Sequence, residues 1–505
     1  MRIKKFLLPA LLFGTLLALI QRLFAKPAPA KQVSRRDPYE AIDAYIGEQM
    51  HRLNIPGASL AITEGDQVVH LRGFGRARPD GEVPSPQTPF FIGSLTKSFT
   101  ALAIMQLVEA GKVELDAPVQ RYLSWFRVAD PQASAQMTVR HLLNQTSGFS
   151  QPAGIIPLAN FDDRPDAAER QARALSTYKL AHPPGSTWDY CNLNYNLLGL
   201  VIQAASGEAY ADYIQEHIFD PLEMKHSFTE KLAAKCHSLA VGHMSCFAIP
   251  IPVPDLPVPS GSLPSGQLIS SAEDMAHYLI AHLNGGSYGN TQILSPEGIA
   301  EMHHPAVKAS GMGIEFGAYG MGWMVEGGGQ GRRIFHKGTV PDFFAYMALL
   351  PEQNRGFVLL VNANHLMIDF ALNQVGSNVA SLLAGVQPKP LSLGVIPWLQ
   401  RGSLLIPAIQ IAGLVATLRL LSRWRRGEAP HPSVGRMWGQ HILLPLIPNL
   451  SLAAIPLFLK VSGLLRSMLL YLPDYSWIAL ICGSVSGIWA FLRTGLILRT
   501  LRKAA

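Results

Sequence analysis

Ser94 and Lys97 stand one helical turn apart in the run Phe90-Phe91-Ile92-Gly93-Ser94-Leu95-Thr96-Lys97. A hydroxyl and an amine at that spacing can serve as a nucleophile and the group that manages its proton. Apolar residues recur at helical spacing from Phe99 to Ala110, and Gly111 is a natural stop. Ser94 is therefore expected at the start of a helix, with Lys97 on the same face. A helix N-terminus favours negative charge, hence an alkoxide beside a neutral lysine. Desolvation is what turns an amine into a base near pH 7. The plainer reading is a serine N-cap followed by a surface lysine. The tetrapeptide does not separate the two readings, since Ser176-Thr177-Tyr178-Lys179 repeats it.

An acyl-transfer site also needs a proton relay, an oxyanion hole and a group that orients substrate. Tyr190-Cys191-Asn192 offers a phenol for the proton and an amide for a substrate carbonyl. His336-Lys337-Gly338-Thr339 reads as the end of a strand lining a cleft. There Gly338 would let backbone approach a ligand, and the Thr339 N–H could pair with the Ser94 N–H as oxyanion donors. Three other patterns read as ordinary structure. Tyr288-Gly289-Asn290 lies in a Gly-rich turn, and Gly285-Gly286-Ser287-Tyr288-Gly289 follows a helix pattern rather than a strand, so it lacks the setting of a nucleophile elbow. His303-His304 has no partner at zinc-ligand spacing and reads as surface. Neither a metal nor a cofactor is expected.

The elements that must hold these residues follow from periodicity. Tyr39 to Leu53 reads as an amphipathic helix, with strands at 58–63 and 67–74 around Glu64-Gly65-Asp66. Met137 to Asn144 reads as a short capped helix, and a helical region runs on to about Asp220. Residues 247–266 are rich in Pro, Ser and Gly and read as irregular. A helix is expected from Ser271 to Leu283, strands at 332–336, 343–350 and 356–362, and a closing helix over about 367–383.

The 505-residue chain is only 15% charged, against about 25% in soluble domains, which points to a membrane. The net charge of +7 hides a partition: residues 31–386 hold 24 basic and 33 acidic residues, whereas residues 387–505 hold 13 basic and two acidic. The basic balance thus belongs to membrane-flanking Arg and Lys and is no argument for nucleic acid. Residues 1–30 read as an export signal or signal anchor. Residues 387–402 read as a linker, and 403–421, 441–459 and 476–498 as three spans. Arg423, Arg425 and Arg426 and the Arg-rich C-terminus assign the cytoplasmic side, leaving the globular domain outside. Four cysteines show no zinc spacing; Cys236 and Cys246 read equally well as a disulfide or as two thiols.

The ordered set Phe91-Ile92-Gly93-Ser94-Leu95-Thr96-Lys97, Leu143-Asn144-Gln145-Thr146-Ser147-Gly148-Phe149, Tyr190-Cys191-Asn192, Ser271-Ala272-Glu273-Asp274 and His336-Lys337-Gly338-Thr339 resembles the serine beta-lactamase-related family. That family includes class C beta-lactamases, low-molecular-weight penicillin-binding proteins, D-aminopeptidases and family VIII esterases. The resemblance covers about residues 38–386. It implies an α+β fold, an antiparallel sheet flanked by helices plus an all-helical subdomain, here followed by three transmembrane helices. It implies that Ser94 is acylated, that Lys97 and Tyr190 share the proton work, that Ser94 and Thr339 form the oxyanion hole, and that Asn192, His336 and Gly338 meet the substrate. His336 stands where lactamases usually carry Lys, which speaks for peptidase or esterase chemistry rather than beta-lactam hydrolysis. The expected partners are a small-molecule or peptide substrate and the lipid bilayer. The three spans also resemble those of membrane-bound peptidases that remove an N-acyl-D-asparagine cap from nonribosomal products, such as the colibactin-activating peptidase. A reading of another class is a sensor acylated by penicillin or muropeptide that turns over slowly.

Overall fold

The computed structural model describes residues 38–502 apart from 156–161, 163, 254, 312–313, 329–330, 392–394 and 431. The expected export signal at 1–30 lies outside the described residues. One compact unit runs from Ile42 to the C-terminus; of the unit formed by residues 1–41, only Pro38 onward is described.

Helix α1 (Pro38–Leu53) leads into an eight-stranded sheet. Its strands are β1 (Gly57–Glu64), β2 (Gln67–Gly75), β3 (Val307–Gly311), β4 (Ile314–Tyr319), β5 (Met324–Gly328), β6 (Gly331–Val340), β7 (Phe343–Leu350) and β8 (Arg355–Val361). Their order is β2-β1-β8-β7-β6-β5-β4-β3, every neighbour antiparallel. Every residue of β7 is buried, because both sheet faces are covered and the strand needs no polar alternation. Ala345, Met347 and Leu349 point into the main core. Tyr346 points the other way, stacked between Phe335 and Phe357 at 5.7 and 5.8 Å. Each such fully buried large side chain contributes about 1.5–3 kcal/mol.

Helices cover the sheet: α2 (Thr96–Glu109), α3 (Asn192–Ser206), α4 (Ala272–Leu283) and α5 (Leu366–Leu383). Short helices between α2 and α4 form a helical part around α3. Thr138 starts one of them, Val139–Leu143, with a capping box closed by His141. Gly111, with φ +69°, ends α2 where the sequence places a stop. The expected α+β architecture is the one observed.

The structure adds three strands and corrects two readings. The three strands 307–311, 314–319 and 324–328 extend the sheet beyond the strands legible in sequence; they are short and rich in Gly, so period-2 alternation is broken. Residues 249–252 are a strand paired with His243–Cys246, within a stretch expected to be irregular; its prolines suit an edge. His303 is buried, its Nε2 3.1 Å from His282 Nδ1 beside Trp323, so the surface reading holds for His304 alone.

The C-terminal region holds α6 (Leu405–Arg425), α7 (Leu444–Val461), the short α8 (Leu465–Tyr471) and α9 (Pro473–Arg502). A helix at Val395–Gly402 occupies much of the stretch expected as linker. The segments Val395–Arg425, Val434–Val461 and Pro473–Thr500 are long and apolar enough to cross a membrane. The middle one stays helical through Pro448 and Pro456. The start of α9 is pinned to the sheet domain. Asp474 pairs with His365, the N-cap of α5, at 3.0 Å, and accepts the Phe247 N–H at 3.1 Å; both side chains of the pair are wholly buried.

Candidate active site

The Ser94 corner is built by a glycine. Gly93 has φ +54°, and a Cβ there would fall 2.4 Å from the Thr339 nitrogen. The chain can therefore turn at Gly93 only as glycine, and it turns directly against β6. Gly338 faces it: a Cβ at 338 would lie 1.9 Å from the Ile92 oxygen and 3.2 Å from the Ser94 nitrogen. The two close approaches bring the backbones of Ser94 and Thr339 side by side. Gly93–Leu95 forms a single 3-10 turn that runs into α2, so Ser94 precedes the α-helix proper and Lys97 lies inside it.

Lys97 is fully buried. Its Nζ lies 2.9 Å from Ser94 Oγ, 2.8 Å from Asn192 Oδ1 and 2.5 Å from the Ser265 carbonyl oxygen. Three acceptors around one nitrogen fix its position. Burial nonetheless brings its pKa down to about 7, the Cys191 thiol pulling weakly the other way. An amine at that value is neutral for a large fraction of the time at neutral pH, which a proton acceptor requires.

Tyr190 joins Ser94 and Lys97, with Lys97 Nζ 4.9 Å from its ring centroid. Burial, with Tyr319 adding, raises its phenol well above the usual range, while the Ser94 hydroxyl works against that. The loop carrying Tyr190 and Asn192 is held from behind by Gln145. Its Oε1 accepts from Asn194 Nδ2 at 2.5 Å and from the Cys191 N–H at 3.0 Å, and Ser147 Oγ donates to Asn194 Oδ1 at 2.6 Å. Gln145 itself sits at φ +60°, a left-handed position uncommon for a residue other than glycine.

His336 lies behind Tyr190 and is 3% exposed. Its Nε2 is 3.3 Å from the Tyr319 hydroxyl and its Nδ1 2.6 Å from the Lys337 oxygen. Burial and then Lys97 push its pKa down to about 3, so its ring is neutral. Lys337 pairs with Asp369 of α5, whose other oxygen accepts from Thr339 Oγ1 at 2.5 Å.

Ser94, Asn192 and Thr339 open onto one cleft. Part of its wall comes from α8, between the second and third apolar helices, through Ser467, Leu470 and Tyr471. Sequence reasoning missed that wall, and it missed Ser265, which acts through backbone and leaves no side-chain signal. It also missed Asp369, the one acidic residue in the apolar helix pattern of α5, which is a signal that was present. The remaining motifs stay apart. Ser176 and Lys179 are exposed. Ser287 lies in the hairpin of Ser287–Tyr288 and Thr291–Gln292, its Oγ bonded to Gln292. Ser271 caps α4 through the Asp274 N–H. Cys236 and Cys246 are both free thiols.

Residues 42–378 match the family model described as Beta-lactamase. The Staphylococcus aureus (strain MW2) protein described as Protein flp is 29% identical over 357 residues, 69% of this chain and 69% of its own length. Among solved structures, the octameric penicillin-binding protein homologue from Pyrococcus abyssi superposes with a TM-score of 0.61 at 28% identity, covering 69% of this chain and 78% of that one. A class C beta-lactamase gives 0.58 at 20% identity over 72% of this chain and all of that one, which shows the shared fold. The apolar C-terminal helices lie outside the family match.

Proposed function

This chain belongs to the beta-lactamase family, and from that premise we propose that it is a membrane-anchored serine hydrolase whose catalytic domain faces the cell exterior. It cuts peptide, amide or ester substrates through an acyl-enzyme. The observation that carries the reading is the fully buried Lys97, with its pKa near 7 and its Nζ 2.9 Å from Ser94 Oγ.

Neutral Lys97 takes the Ser94 proton as Oγ attacks the substrate carbonyl. The Ser94 and Thr339 N–H groups receive the developing oxyanion. Tyr190, kept protonated by its raised pKa, passes a proton to the leaving amine or alcohol and recovers one from Lys97. Water then attacks the ester of Ser94, giving a proton to neutral Lys97, which passes it to Oγ as the ester bond breaks and the acid is released. Asn192 holds Lys97 and presents its amide to substrate. Neutral His336 keeps Tyr319 and Tyr190 in place and supplies no positive charge for a substrate carboxylate, which favours D-amino-acid peptidase or esterase activity over beta-lactam hydrolysis.

A second reading, removal of an N-acyl-D-amino-acid cap, draws support from α8. The cleft that holds Ser94 is walled by a segment joined directly to apolar helices, a setting suited to an amphiphilic substrate arriving along a bilayer. Mass spectrometry of the intact protein after fluorophosphonate or penicillin tests both readings. Labelling of wild type but not of Ser94→Ala, with rapid turnover of D-amino-acid amides or esters, is the expected result. A stable penicilloyl adduct without turnover would turn the site into that of a sensor.

A further inference from the structure

Asp342 lies at the turn from β6 to β7, three residues beyond Thr339, and lines the same cleft as Ser94. It is 7% exposed. The fold makes room for it: a Cβ at Gly242 would fall 2.1 Å from Asp342 Oδ2. Its main chain is engaged, the carbonyl accepting the His243 N–H at 3.2 Å. Its carboxyl makes no ion pair and no hydrogen bond to another residue's side chain among the described residues.

The nearest cation already has partners. Lys231 Nζ donates to the Leu256 oxygen at 2.7 Å and lies 3.7 Å from Asp255. Burial lifts the Asp342 carboxyl to about 7, with Lys231 offsetting only part of the rise. Across the cleft, Tyr471 of α8 has its phenol raised by burial and by Asp342 and Asp369. Leu239, Val253, Leu256 and Leu470 make the rest of this end of the cleft apolar. A buried carboxyl that lacks a cation is half of a pair, and a ligand that brings the other half is selected over its neutral counterpart.

We propose that Asp342 is the specificity determinant of this cleft, selecting acyl donors that carry a primary ammonium on a short apolar arm reaching between the β6–β7 turn and α8. The inference rests on the hydrolase reading and adds the substrate class to it. The carbonyl sits at Ser94, the arm lies along the leucines and Val253, and the ammonium meets Asp342.

The test uses the full chain in detergent or nanodiscs. Substrates are 4-nitrophenyl esters whose acyl groups carry an ammonium one to five carbons from the carbonyl, each paired with a counterpart bearing methyl in its place. At pH 8 at least one ammonium member should exceed its methyl partner in kcat/KM by about tenfold or more, the size expected of one charge-assisted contact. The ratio should fall toward one in Asp342→Asn and recover in part in Asp342→Glu. It should also fall in wild type between pH 8 and pH 6 as Asp342 takes up its proton. Lys97 titration divides out, because both members of a pair share it. The titratable groups that interact with Asp342 are Lys231 and Tyr471, Tyr471 being acted on by Asp369 as well, while His243 meets it through its backbone N–H. The wild-type pH series decides the matter even if Asp342→Asn fails to fold. No discriminating pair, or a ratio unchanged by both the substitution and pH, overturns the proposal. Absence of fluorophosphonate labelling at Ser94 in wild type would remove the hydrolase reading itself, a distinct failure that takes this inference with it.

Discussion

Ser94-Leu95-Thr96-Lys97 and Ser176-Thr177-Tyr178-Lys179 share one pattern in two settings. The second copy lies on an exposed 3-10 turn, Leu175–Thr177, with both its serine and its lysine in solvent. The first lies where a left-handed glycine, a close-packed strand and a buried helix face converge. Its lysine has lost water and gained three fixed acceptors. The chemistry thus comes from desolvation and geometry supplied by residues far away in sequence, and the tetrapeptide only provides the atoms.

The sharpest way to break this contrast is to delete each serine. Ser94→Ala should abolish fluorophosphonate labelling and lower kcat/KM by about 10⁴-fold or more, while Ser176→Ala leaves both within twofold of wild type, about the scatter expected of a surface change; steady-state kinetics on one ester reads both. Next come the lysines. Lys97→Arg keeps the charge but cannot lose its proton, so kcat should fall by about 10²–10⁴-fold, against no change for Lys179→Arg. A pH profile sharpens the same point without mutation. Lys97 acts only when neutral and its pKa is about 7, so log kcat/KM on a neutral ester should rise with unit slope below that value and level off above it. A profile flat from pH 5 to 9 would remove Lys97 as the base. The smallest effect is at a distance. Asp369→Ala frees Lys337 and Thr339 Oγ1, which loosens one oxyanion donor; kcat should drop by about 10- to 100-fold with KM little changed. An equal loss of thermal stability and activity would instead mark Asp369 as structural.

The same contrast explains what the sequence could tell. Ser94, Lys97, Tyr190, Asn192, Gly338 and Thr339 stood out because each is a residue type suited to this chemistry at a recognisable spacing; the structure brings Ser94, Asn192 and Thr339 to one cleft, with Lys97 bonded to Ser94 and Asn192, Tyr190 beside Lys97 and Gly338 against Ser94. His336 was legible as a residue of the same cluster, but its burial beside Tyr319 and behind Tyr190 is set by contacts between distant strands and loops that leave no local pattern. Strands β3 to β5 escaped because their glycines interrupt the alternation that identifies a strand. His303 escaped because a buried histidine pair has no sequence signature distinct from a surface one. The wall from α8 was out of reach altogether, since nothing in Leu465–Tyr471 announces a contact with a domain that ends some eighty residues earlier.

The clamp between His365 and Asp474 holds that wall in place, and it sets an order of assembly. The ribosome makes Ser94 and all of the sheet long before it makes Ser467, Leu470 and Tyr471. The hydrolase domain can therefore close its core while its cleft still stands open on one side. The cleft is finished only when the chain has passed through two apolar helices and returned to the domain. On the proposed reading, completion of the cleft is tied to insertion of the apolar helices, and a nascent or truncated chain would carry Ser94 without the wall that Ser467, Leu470 and Tyr471 supply.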